Sequence, residues 1–341
     1  MRRVVIAPDK FRGTATAAEV ARAMSDAASA LGWQPVPLAL SDGGEGLLDA
    51  CSGRCPRTVV SRVTGPDGTP VDAAWRSGDG LAVVELARAS GLTLAGGPGR
   101  NDPVGATSRG TGELMVEAAR TVGPDGTVVV GLGGSATTDG GRGLWDAVLA
   151  GGGLGGARLV GACDVDTRYT DAVAVFGPQK GAGPADVAVL TGRLVHQAET
   201  WVRDLGIDVR AVPGSGAAGG AGGALVALGG TLRSGYRLVA DLVGVAAALV
   251  GADRVLTGEG ALDDTSFDGK VVGGIVADAR ARGIPTLVVV GRATAGASAR
   301  AEGAGCTVVA LTDRFGPGRS HRDTVGAVGE VVAAWLGPAG S

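Results

Sequence analysis

Glycines and carboxylates follow several of the predicted strands of this 341-residue chain. In α/β proteins, ligands bind in loops of this kind at the carboxyl ends of strands. Six such loops occur, and they are 8–13 (PDKFRG), 41–46 (SDGGEG), 131–141 (GLGGSATTDGG), 162–166 (ACDVD), 213–216 (PGSG) and 258–263 (GEGALD). A glycine-rich turn ahead of a helix lets backbone N–H groups approach phosphate oxygens, and the helix N-terminus adds a positive end.

The charged residues of these loops extend the same chemistry. Carboxylates can hold Mg²⁺ together with substrate phosphates, and one of them can accept a proton from an attacking hydroxyl group. Cations can neutralise the charge on a transferring phosphoryl group, and the candidates are Lys10, Arg12, Lys180 and Lys270. Together the loops predict phosphoryl transfer to a small hydroxylated acceptor.

Two alternatives remain open beside a kinase. Gly214, Gly216 and Gly219, with Asp241 about 20 residues on, match the dinucleotide fingerprint and would suit an NAD-dependent oxidoreductase. With 63 glycines in 341 residues, however, such matches arise by chance. A noncatalytic sugar-acid-binding protein is the other alternative. A Walker A loop is absent because Lys270 is followed by Val271, and a hydrolase would need one of only two histidines.

Composition excludes other classes of protein. The net charge is −3 with no basic block, so we expect no nucleic-acid partner. Four cysteines without a second ligand pair argue against a zinc site and fit a reducing compartment. Neither a signal peptide nor a convincing membrane helix is visible, and the least polar window, Ala211 to Gly230, is too rich in glycine. We expect a soluble cytoplasmic protein without membrane contact, and its oligomeric state stays open.

The elements that must position these loops are of the α/β class. Short β-branched runs alternate with alanine-rich helical stretches, a pattern typical of a largely parallel sheet. Val4 to Ala7 reads as the first strand, and Thr16 with Glu19 forms a capping box that opens a helix to about Leu31. Further strands are predicted at 36–40, 127–131, 159–162, 254–257, 286–290 and 306–311, and further helices at 111–122, 141–149, 186–205, 217–228, 241–250, 270–282 and 321–335.

The middle of the chain differs from its two ends. Strand-like runs at 59–63, 71–75 and 81–86 are joined by the turn sequences GPDG and GDG, which favour antiparallel hairpins and hence a mixed sheet. We therefore predict two α/β domains. Residues 1–65 and 251–341 form a discontinuous Rossmann/flavodoxin-like domain, and residues 66–250 form a second, mixed-sheet domain inserted into it.

The loops, taken together, resemble the bacterial type I glycerate kinase family. The matching segments occur in family order from Ile6 to Lys270, and they are IAPDKFRG, LSDGGEG, RNDPVGATSRGTGEL, GLGGSATTDGG, ACDVD, VFGPQKGA, PGSGAAGGAGGAL and VLTGEGALDDTSFDGK. The resemblance implies a kinase that transfers the ATP γ-phosphoryl group to D-glycerate with Mg²⁺, generally giving 2-phosphoglycerate. It also implies a two-domain α/β fold with the active site in the interdomain cleft.

Roles for individual residues follow from the loops and the resemblance together. Asp164 is the expected base for the acceptor hydroxyl proton, with Asp42 as its rival, since both follow strands. Arg12, Lys10 and Lys270 would carry positive charge to the acceptor carboxylate or the phosphoryl group. The expected substrate-binding residues are Asp9, Lys10, Gly43, Gly44 and Thr111; the nucleotide-binding residues are Gly133, Gly134, Ser135, Gly214, Ser215 and Gly216; and the Mg²⁺ ligands are Glu259 and Asp263.

The chain departs from the family pattern in several places. The usual PDSFKG is PDKFRG here, so Lys10 replaces a serine and Arg12 a lysine. Thr138 stands where GGSATNDGG has asparagine, and Ser266 stands where the family has threonine. Asp166-Thr167 replaces an aspartate-asparagine pair, and residues 149–158 form a shortened stretch. These changes bear on the choice of acceptor more than on phosphoryl transfer itself.

Overall fold

The computed structural model describes residues 2–337 as two compact units. The first unit contains the chain up to Ser41 and from Val239 onward, and the second contains Asp42–Leu238. The expected boundaries lay at 65/66 and 250/251, so both differ. Residues 57–64 belong to the second unit because they form an edge strand of its sheet, and Val250 belongs to the first because its carbonyl accepts a hydrogen bond from Arg3 Nη1.

Eleven strands and fourteen α-helices lie within residues 2–337. The strands are β1 (Arg3–Ile6), β2 (Gln34–Pro37), β3 (Arg57–Thr64), β4 (Pro70–Gly78), β5 (Leu81–Glu85), β6 (Thr127–Gly131), β7 (Arg158–Cys163), β8 (Thr231–Ser234), β9 (Arg254–Leu262), β10 (Thr286–Ala293) and β11 (Cys306–Ala310). The helices are α1 (Ala17–Ala30), α2 (Leu47–Ala50), α3 (Ala87–Ser90), α4 (Arg109–Val122), α5 (Arg142–Ala150), α6 (Ala172–Phe176), α7 (Pro184–Leu205), α8 (Ala217–Ala227), α9 (Gly235–Val243), α10 (Val245–Ala248), α11 (Val271–Arg280), α12 (Ala295–Gly303), α13 (Leu311–Arg322) and α14 (Thr324–Leu336).

The first unit is built on a five-stranded parallel sheet in the order β11-β10-β9-β1-β2. Counted along the chain within this unit, the strand order is 2-1-3-4-5, which is the flavodoxin-like order. Val4, Val5 and Ile6 are fully buried, as expected for a central parallel strand covered on both faces. The topology reverses between β1 and β9, and ligands bind in such sheets at the carboxyl ends of the two strands beside the reversal. This confirms the predicted fold class for the first unit.

The second unit contains a six-stranded mixed sheet in the order β3-β4-β5-β6-β7-β8. β3, β4 and β5 pair antiparallel, and β5 through β8 pair parallel. At the predicted GPDG turn between β3 and β4, the N–H of Gly65 donates to the carbonyl of Thr69, and the Asp67 side chain accepts from Thr69. The predicted mixed sheet is thus confirmed, and its core includes Trp75, Leu114, Tyr169 and Trp201.

Two predicted helices differ from the expectation at glycines. The first turn of α8 is not helical, because Ala218, Gly219 and Gly220 have φ values of 53°, 70° and 97°. A Cβ on Gly219 would lie 2.0 Å from the carbonyl oxygen of Thr137, so only glycine allows this backbone to approach so closely. The helix predicted at 241–250 is divided into α9 and α10 by Gly244, whose φ is 78°.

None of the helices within residues 2–337 has both the length and the apolar character that a membrane span requires.

Candidate active site

In the second unit, the segment Asp42–Gly46 (the Asp42 loop) packs backbone against backbone on the ends of the parallel strands. A Cβ on Gly43 would lie 2.8 Å from the Ala162 Cβ and 2.9 Å from the Gly235 Cα, and a Cβ on Gly235 would lie 1.6 Å from the Asp42 carbonyl oxygen. The loop is therefore wedged between the end of β7 and the start of α9. Asp42 Oδ1 accepts a hydrogen bond from the N–H of Gly44, which orients its carboxylate.

The same loop lies against the segment that follows β6, residues 132–141 (the Gly133 loop). A Cβ on Gly131 would lie 2.5 Å from the Gly43 carbonyl oxygen, and one on Gly133 would lie 2.6 Å from the Gly44 Cα. The N–H of Leu132 also donates to the carbonyl of Ala162 at the end of β7. Within this unit, then, loops from three separate parts of the chain converge at the carboxyl edge of the sheet.

Glu85, which was not among the predicted site residues, fixes the Asp42 loop through hydrogen bonds to backbone N–H groups. Its Oε1 accepts hydrogen bonds of 3.0 Å from the N–H groups of Gly46 and Leu48, and its Oε2 accepts one from Arg88 Nε. The side chain is almost completely buried at the end of the apolar strand β5. Because a charged residue ending a fully buried strand must find partners inside the protein, this position was a detectable signal in the sequence.

We expect Glu85→Gln to destabilise the second unit by about 1–2 kcal/mol, because an amide replaces a charge-assisted acceptor and turns an NH₂ group toward Arg88. Denaturant unfolding measures this loss. The matched control is Asp72→Asn, which breaks an exposed ion pair with Arg62 and should leave the free energy of unfolding nearly unchanged. Equal losses in both variants would contradict the role assigned to Glu85.

The start of the Gly133 loop offers three successive backbone donors. Among the described residues, no acceptor is found for the N–H groups of Gly133, Gly134 and Ser135. The loop is nevertheless fixed, since the Gly134 carbonyl accepts from the N–H of Leu92 and the N–H of Ala136 donates to the Ser90 carbonyl. Consecutive backbone donors on a fixed loop, with Gly134 at a φ of 67°, are a feature typical of anion-binding sites.

The remainder of the Gly133 loop is anchored from inside the unit. Lys180 Nζ donates to Ser135 Oγ at 2.6 Å and to the Thr137 carbonyl at 2.7 Å. Asn101 Nδ2 donates to the carbonyls of both Ala136 and Lys180. Asp139 accepts hydrogen bonds from the N–H groups of Ser108, Gly141 and Gly143 and from the Ser108 hydroxyl, so its carboxylate caps the first turns of α4 and α5.

The composition of the chain already singled out Lys180 as a candidate functional residue. The chain has 31 lysines and arginines, but only three of them are lysines, namely Lys10, Lys180 and Lys270, and each lies in one of the motifs above. A chain that otherwise uses arginine keeps lysine where a compact ammonium group fits and a planar guanidinium does not.

Asp164 is the first residue after β7, and its side chain is exposed. Ala162, two residues earlier, contacts the Asp42 loop, so Asp164 begins its own loop beside Asp42 and Gly133. The two candidate bases and the three unpartnered N–H groups therefore belong to one edge of one unit.

In the first unit, the segment 8–13 meets the end of β9. The N–H of Asp9 donates to the Gly258 carbonyl at 2.8 Å, and a Cβ on Gly260 would lie 3.1 Å from the Arg12 nitrogen. Residues 8–13 follow β1, whereas 258–262 still belong to β9, which continues five residues beyond the expected strand end at 257. β1 and β9 are the strands beside the topological reversal. Lys10 is half-buried and Arg12 is exposed, and the N–H of Lys10 donates to Asp9 Oδ1.

Glu259 is the most perturbed carboxyl group at this edge. Burial raises the pKa of Glu259 to about 7, with Asp9 and Asp263 adding to the rise, while a hydrogen bond from Ser266 and the charge of Lys270 oppose it. Among the described residues, its Oε1 is buried without a hydrogen-bond partner. Such a carboxyl group can gain from a cation that supplies what the protein does not.

Asp263 and Lys270 surround a short turn at Asp264–Phe267. Asp263 Oδ1 accepts from the N–H and the hydroxyl of Thr265, and this hydroxyl hydrogen bond lowers the pKa of Asp263. Lys270 Nζ donates to the same Thr265 hydroxyl at 2.7 Å. In residues 2–337 there is no group of three or more histidine, cysteine, aspartate or glutamate side chains arranged to hold a metal ion.

Two groups of predicted site residues lie elsewhere. Thr111 is fully buried within α4, where its hydroxyl pairs with Ser90 Oγ, so it is not placed to touch a substrate. In Gly214–Gly216 the Ser215 hydroxyl donates to the Val212 carbonyl, and the N–H of Gly216 donates to the Thr167 carbonyl. Both residues are buried and their donors are used, so this segment supports the fold rather than a phosphate. It also follows no strand, which contradicts its match to a dinucleotide fingerprint.

Comparison with known proteins identifies the family of the chain. The sequence model described as the glycerate kinase family matches residues 4–151 and 152–320. The chain belongs to the glycerate kinase family. It is 36% identical over 329 residues to glycerate 2-kinase of Escherichia coli K12, covering 86% of each chain, and 37% identical to glycerate kinase of Bacillus subtilis 168, covering 85% of each. The crystal structure of glycerate kinase 2 from Salmonella typhimurium LT2 matches with a TM-score of 0.80 at 33% identity over 98% of both chains.

Membership of the glycerate kinase family confirms three predictions. The family suggested by the motifs, the α/β fold class and the class of enzyme, a kinase that phosphorylates glycerate, are all as expected. The NAD-dependent oxidoreductase is thereby set aside.

Proposed function

We propose that this member of the glycerate kinase family transfers the γ-phosphoryl group of ATP to the 2-hydroxyl group of D-glycerate. The observation that carries the proposal is the set of three N–H groups, Gly133 to Ser135, that have no acceptor within residues 2–337 and lie at the same sheet edge as two strand-end carboxylates in a chain of this family. The product would be 2-phosphoglycerate, in line with the name of the Escherichia coli relative.

The nucleotide would be bound through its phosphates by the Gly133 loop. Backbone N–H groups are suited to this task because they donate without adding a charge that must be neutralised when the nucleotide leaves. We omit Ser215 and Gly216 from this proposed site because their donors are already used within the fold. We omit Gly214 because it is buried against Cys163 in a segment that follows no strand.

Proton transfer in the proposed reaction falls to a carboxylate. As the 2-hydroxyl oxygen of glycerate bonds to the γ-phosphorus, the bond from that phosphorus to the β–γ bridging oxygen breaks and ADP leaves. The hydroxyl proton passes to Asp164, whose exposed carboxylate can reach a substrate, or to its rival Asp42. Gly43 and Gly44 would contribute the backbone of the Asp42 loop to the acceptor site, while their Cα atoms pack against Ala162, Gly235 and Gly133.

The cations of the first unit would serve the negative charges of the substrates. Arg12, exposed and presenting a planar fork of donors, suits the glycerate carboxylate. Lys10 and Lys270 would offset charge on the phosphoryl group. Asp9, whose Oδ1 accepts a hydrogen bond from the backbone N–H of Lys10, would bind the acceptor. The expectation of a site in the interdomain cleft stays a prediction.

Mg²⁺ fits the carboxylates at the end of β9. The ion needs only one or two protein carboxylates, because phosphate oxygens and waters complete its shell. Glu259 has a buried oxygen without a hydrogen-bond partner in the described part of the chain and lies within electrostatic reach of Asp263, so these two would hold the ion. When bound, Mg²⁺ would neutralise charge that develops on the phosphates.

The decisive assay is formation of ADP from ATP that depends on added D-glycerate. We expect activity with Mg²⁺, loss of activity when the ion is chelated, and 2-phosphoglycerate as the product by NMR. Phosphorylation at the 3-hydroxyl would overturn the proposed regiochemistry. No glycerate-dependent ADP at all, with nucleotide binding intact, would instead favour the noncatalytic sugar-acid-binding protein.

Thermal unfolding provides an independent check on the nucleotide. A ligand at a hundred times its Kd stabilises the native state by about 2.7 kcal/mol, so saturating Mg-ATP should raise the melting temperature. NAD serves as the control and should leave the melting temperature unchanged. The reverse pattern would revive the oxidoreductase. The predicted cytoplasmic location and the absence of nucleic-acid partners remain expectations.

A further inference from the structure

Lys180 is a buried cation that the proposed chemistry does not use directly. It ends the short turn Pro178–Lys180, and its side chain is only 4% exposed. Its ammonium group donates to Ser135 Oγ and to the Thr137 carbonyl, both on the Gly133 loop. Because Lys180 is buried, it cannot reach a solvent-borne substrate, and any effect on one must pass through that loop.

The charge of Lys180 lacks a close counter-ion. Within residues 2–337 it forms no ion pair, and Asp139, the charged group that acts on it electrostatically, directs its own carboxylate to the N–H groups of Ser108, Gly141 and Gly143. Burying an uncompensated cation is costly. A neutral hydroxyl or amide group could donate hydrogen bonds to the same two oxygen acceptors. The free-energy cost of burying a charge here must therefore serve a purpose beyond fixing the loop.

The backbone N–H groups of the Gly133 loop indicate a function for the charge of Lys180. Ser135 accepts from Lys180 through its hydroxyl oxygen, and its N–H, like those of Gly133 and Gly134, has no acceptor among the described residues. The buried ammonium group thus contacts the side chain of a residue whose own N–H is one of the three donors, and an oxyanion on these donors would provide the negative charge that Lys180 lacks.

We infer that Lys180 is a positioning residue that turns the start of the Gly133 loop into an anion receptor, acting through Ser135 on the nucleotide phosphates. The inference rests on the proposed function, since it deepens the nucleotide site named there. Asn101 provides the comparison, because it bridges the same two segments through the carbonyls of Ala136 and Lys180 without any charge.

The protonation of Lys180 can be tested by varying the pH. Burial lowers the pKa of Lys180 to about 7, and the charge of Asp139 opposes this. Tyr169, which lies near Asp139, does not titrate in this range because burial raises its pKa well above 10. Above pH 7 the free protein loses the Lys180 proton, so nucleotide must either bind more weakly or bring a proton with it. We expect uptake of up to about one proton per Mg-ATP bound near pH 8.

The test is calorimetric titration of the full-length protein with Mg-ATP, without glycerate, from pH 6 to 8.5 in buffers of different ionisation enthalpy. We expect Lys180→Met to raise Kd at least tenfold at pH 6.5 and to abolish the proton uptake. Asn101→Ala should lower the melting temperature yet keep the wild-type proton uptake. Protons taken up by the nucleotide itself contribute equally in both proteins, so the difference in proton uptake between wild type and Lys180→Met reports on Lys180.

Three results would overturn the inference. They are a Lys180→Met variant with wild-type Kd, the same pH dependence in both proteins, or wild-type protein that takes up no proton near pH 8. The last needs no variant and so holds even if Lys180→Met fails to fold. Wild-type protein that binds Mg-ATP but makes no glycerate-dependent ADP would contradict the proposed function and leave this inference intact.

Stability provides a second measurement on the same residue. Between its folded pKa of about 7 and the ordinary value of 10.5, Lys180 holds more proton in the unfolded chain than in the folded one. Raising the pH through this window therefore favours the folded state. The free energy of unfolding of wild type, relative to Lys180→Met, should rise from pH 7 to 9, and a flat difference would contradict the buried charge.

Discussion

Replacing Asp164 by asparagine is expected to lower kcat by about a hundredfold to ten-thousandfold, the range typical of a lost general base. Asparagine has the shape of aspartate but cannot take the proton of the glycerate hydroxyl group. The side chain is exposed at the first residue after β7, so the fold and the KM for ATP should change little. Steady-state kinetics with circular dichroism of the variant measures both.

Asp166→Asn is the matched control, since Asp166 is also exposed and lies two residues further along the same loop. Its kcat should stay close to that of wild type. Asp42→Asn decides between the two candidate bases, because asparagine can still accept the hydrogen bond from Gly44 and so preserves the Asp42 loop. A large loss in Asp42→Asn together with near-normal turnover in Asp164→Asn would transfer the role to Asp42.

Gly133→Ala is expected to lower kcat/KM by about a hundredfold, the cost of displacing reacting groups by around 1 Å. The added Cβ would lie 2.6 Å from the Gly44 Cα, so the Gly133 loop and the Asp42 loop must separate. The φ of Gly133 is not in the left-handed region, and the alanine therefore acts through this contact rather than through backbone strain. Overpacking should also lower the free energy of unfolding by about 1–3 kcal/mol.

Gly44→Ala tests the same contact from its other side. Its Cβ would lie 3.2 Å from Asp42 Oδ1 and 3.6 Å from the Gly133 Cα, distances that small shifts accommodate. Kinetics and denaturant unfolding of the two variants should therefore differ clearly, with Gly44→Ala the milder. If both variants keep wild-type kcat/KM, the spacing of these two loops does not matter for catalysis.

Local chemistry made much of the fold predictable. Thr16 and Glu19 form the predicted capping box at the start of α1, because the two residues satisfy each other's donors within one turn. The GPDG turn predicted the hairpin of β3 and β4 for the same reason, since turn residues act on their own backbone. The expected boundary at 65/66 would divide this same hairpin, and the structure keeps residues 57–64 in the second unit because β3 pairs along its whole length with β4.

The residues of the candidate site were also predictable only where local sequence signals were sufficient. Residue types and their positions after strands were enough to name Asp42, Asp164, Gly133 and Glu259 as candidates. Segments that share those signals, such as Gly214–Gly216, were indistinguishable from them, because a glycine signals an unusual backbone whether it faces a ligand or the interior.

The sequence by itself determined the alternation of strands and helices, the loops that follow the strands, and the family. Only the tertiary structure decided which donors remain unpartnered and which charges are buried. Gly133 and Gly216 look alike along the chain, yet the N–H of Gly216 is used by the Thr167 carbonyl and no acceptor is found for that of Gly133 among the described residues. The physical reason is that hydrogen-bond satisfaction and desolvation depend on neighbours distant in sequence, which come together only on folding.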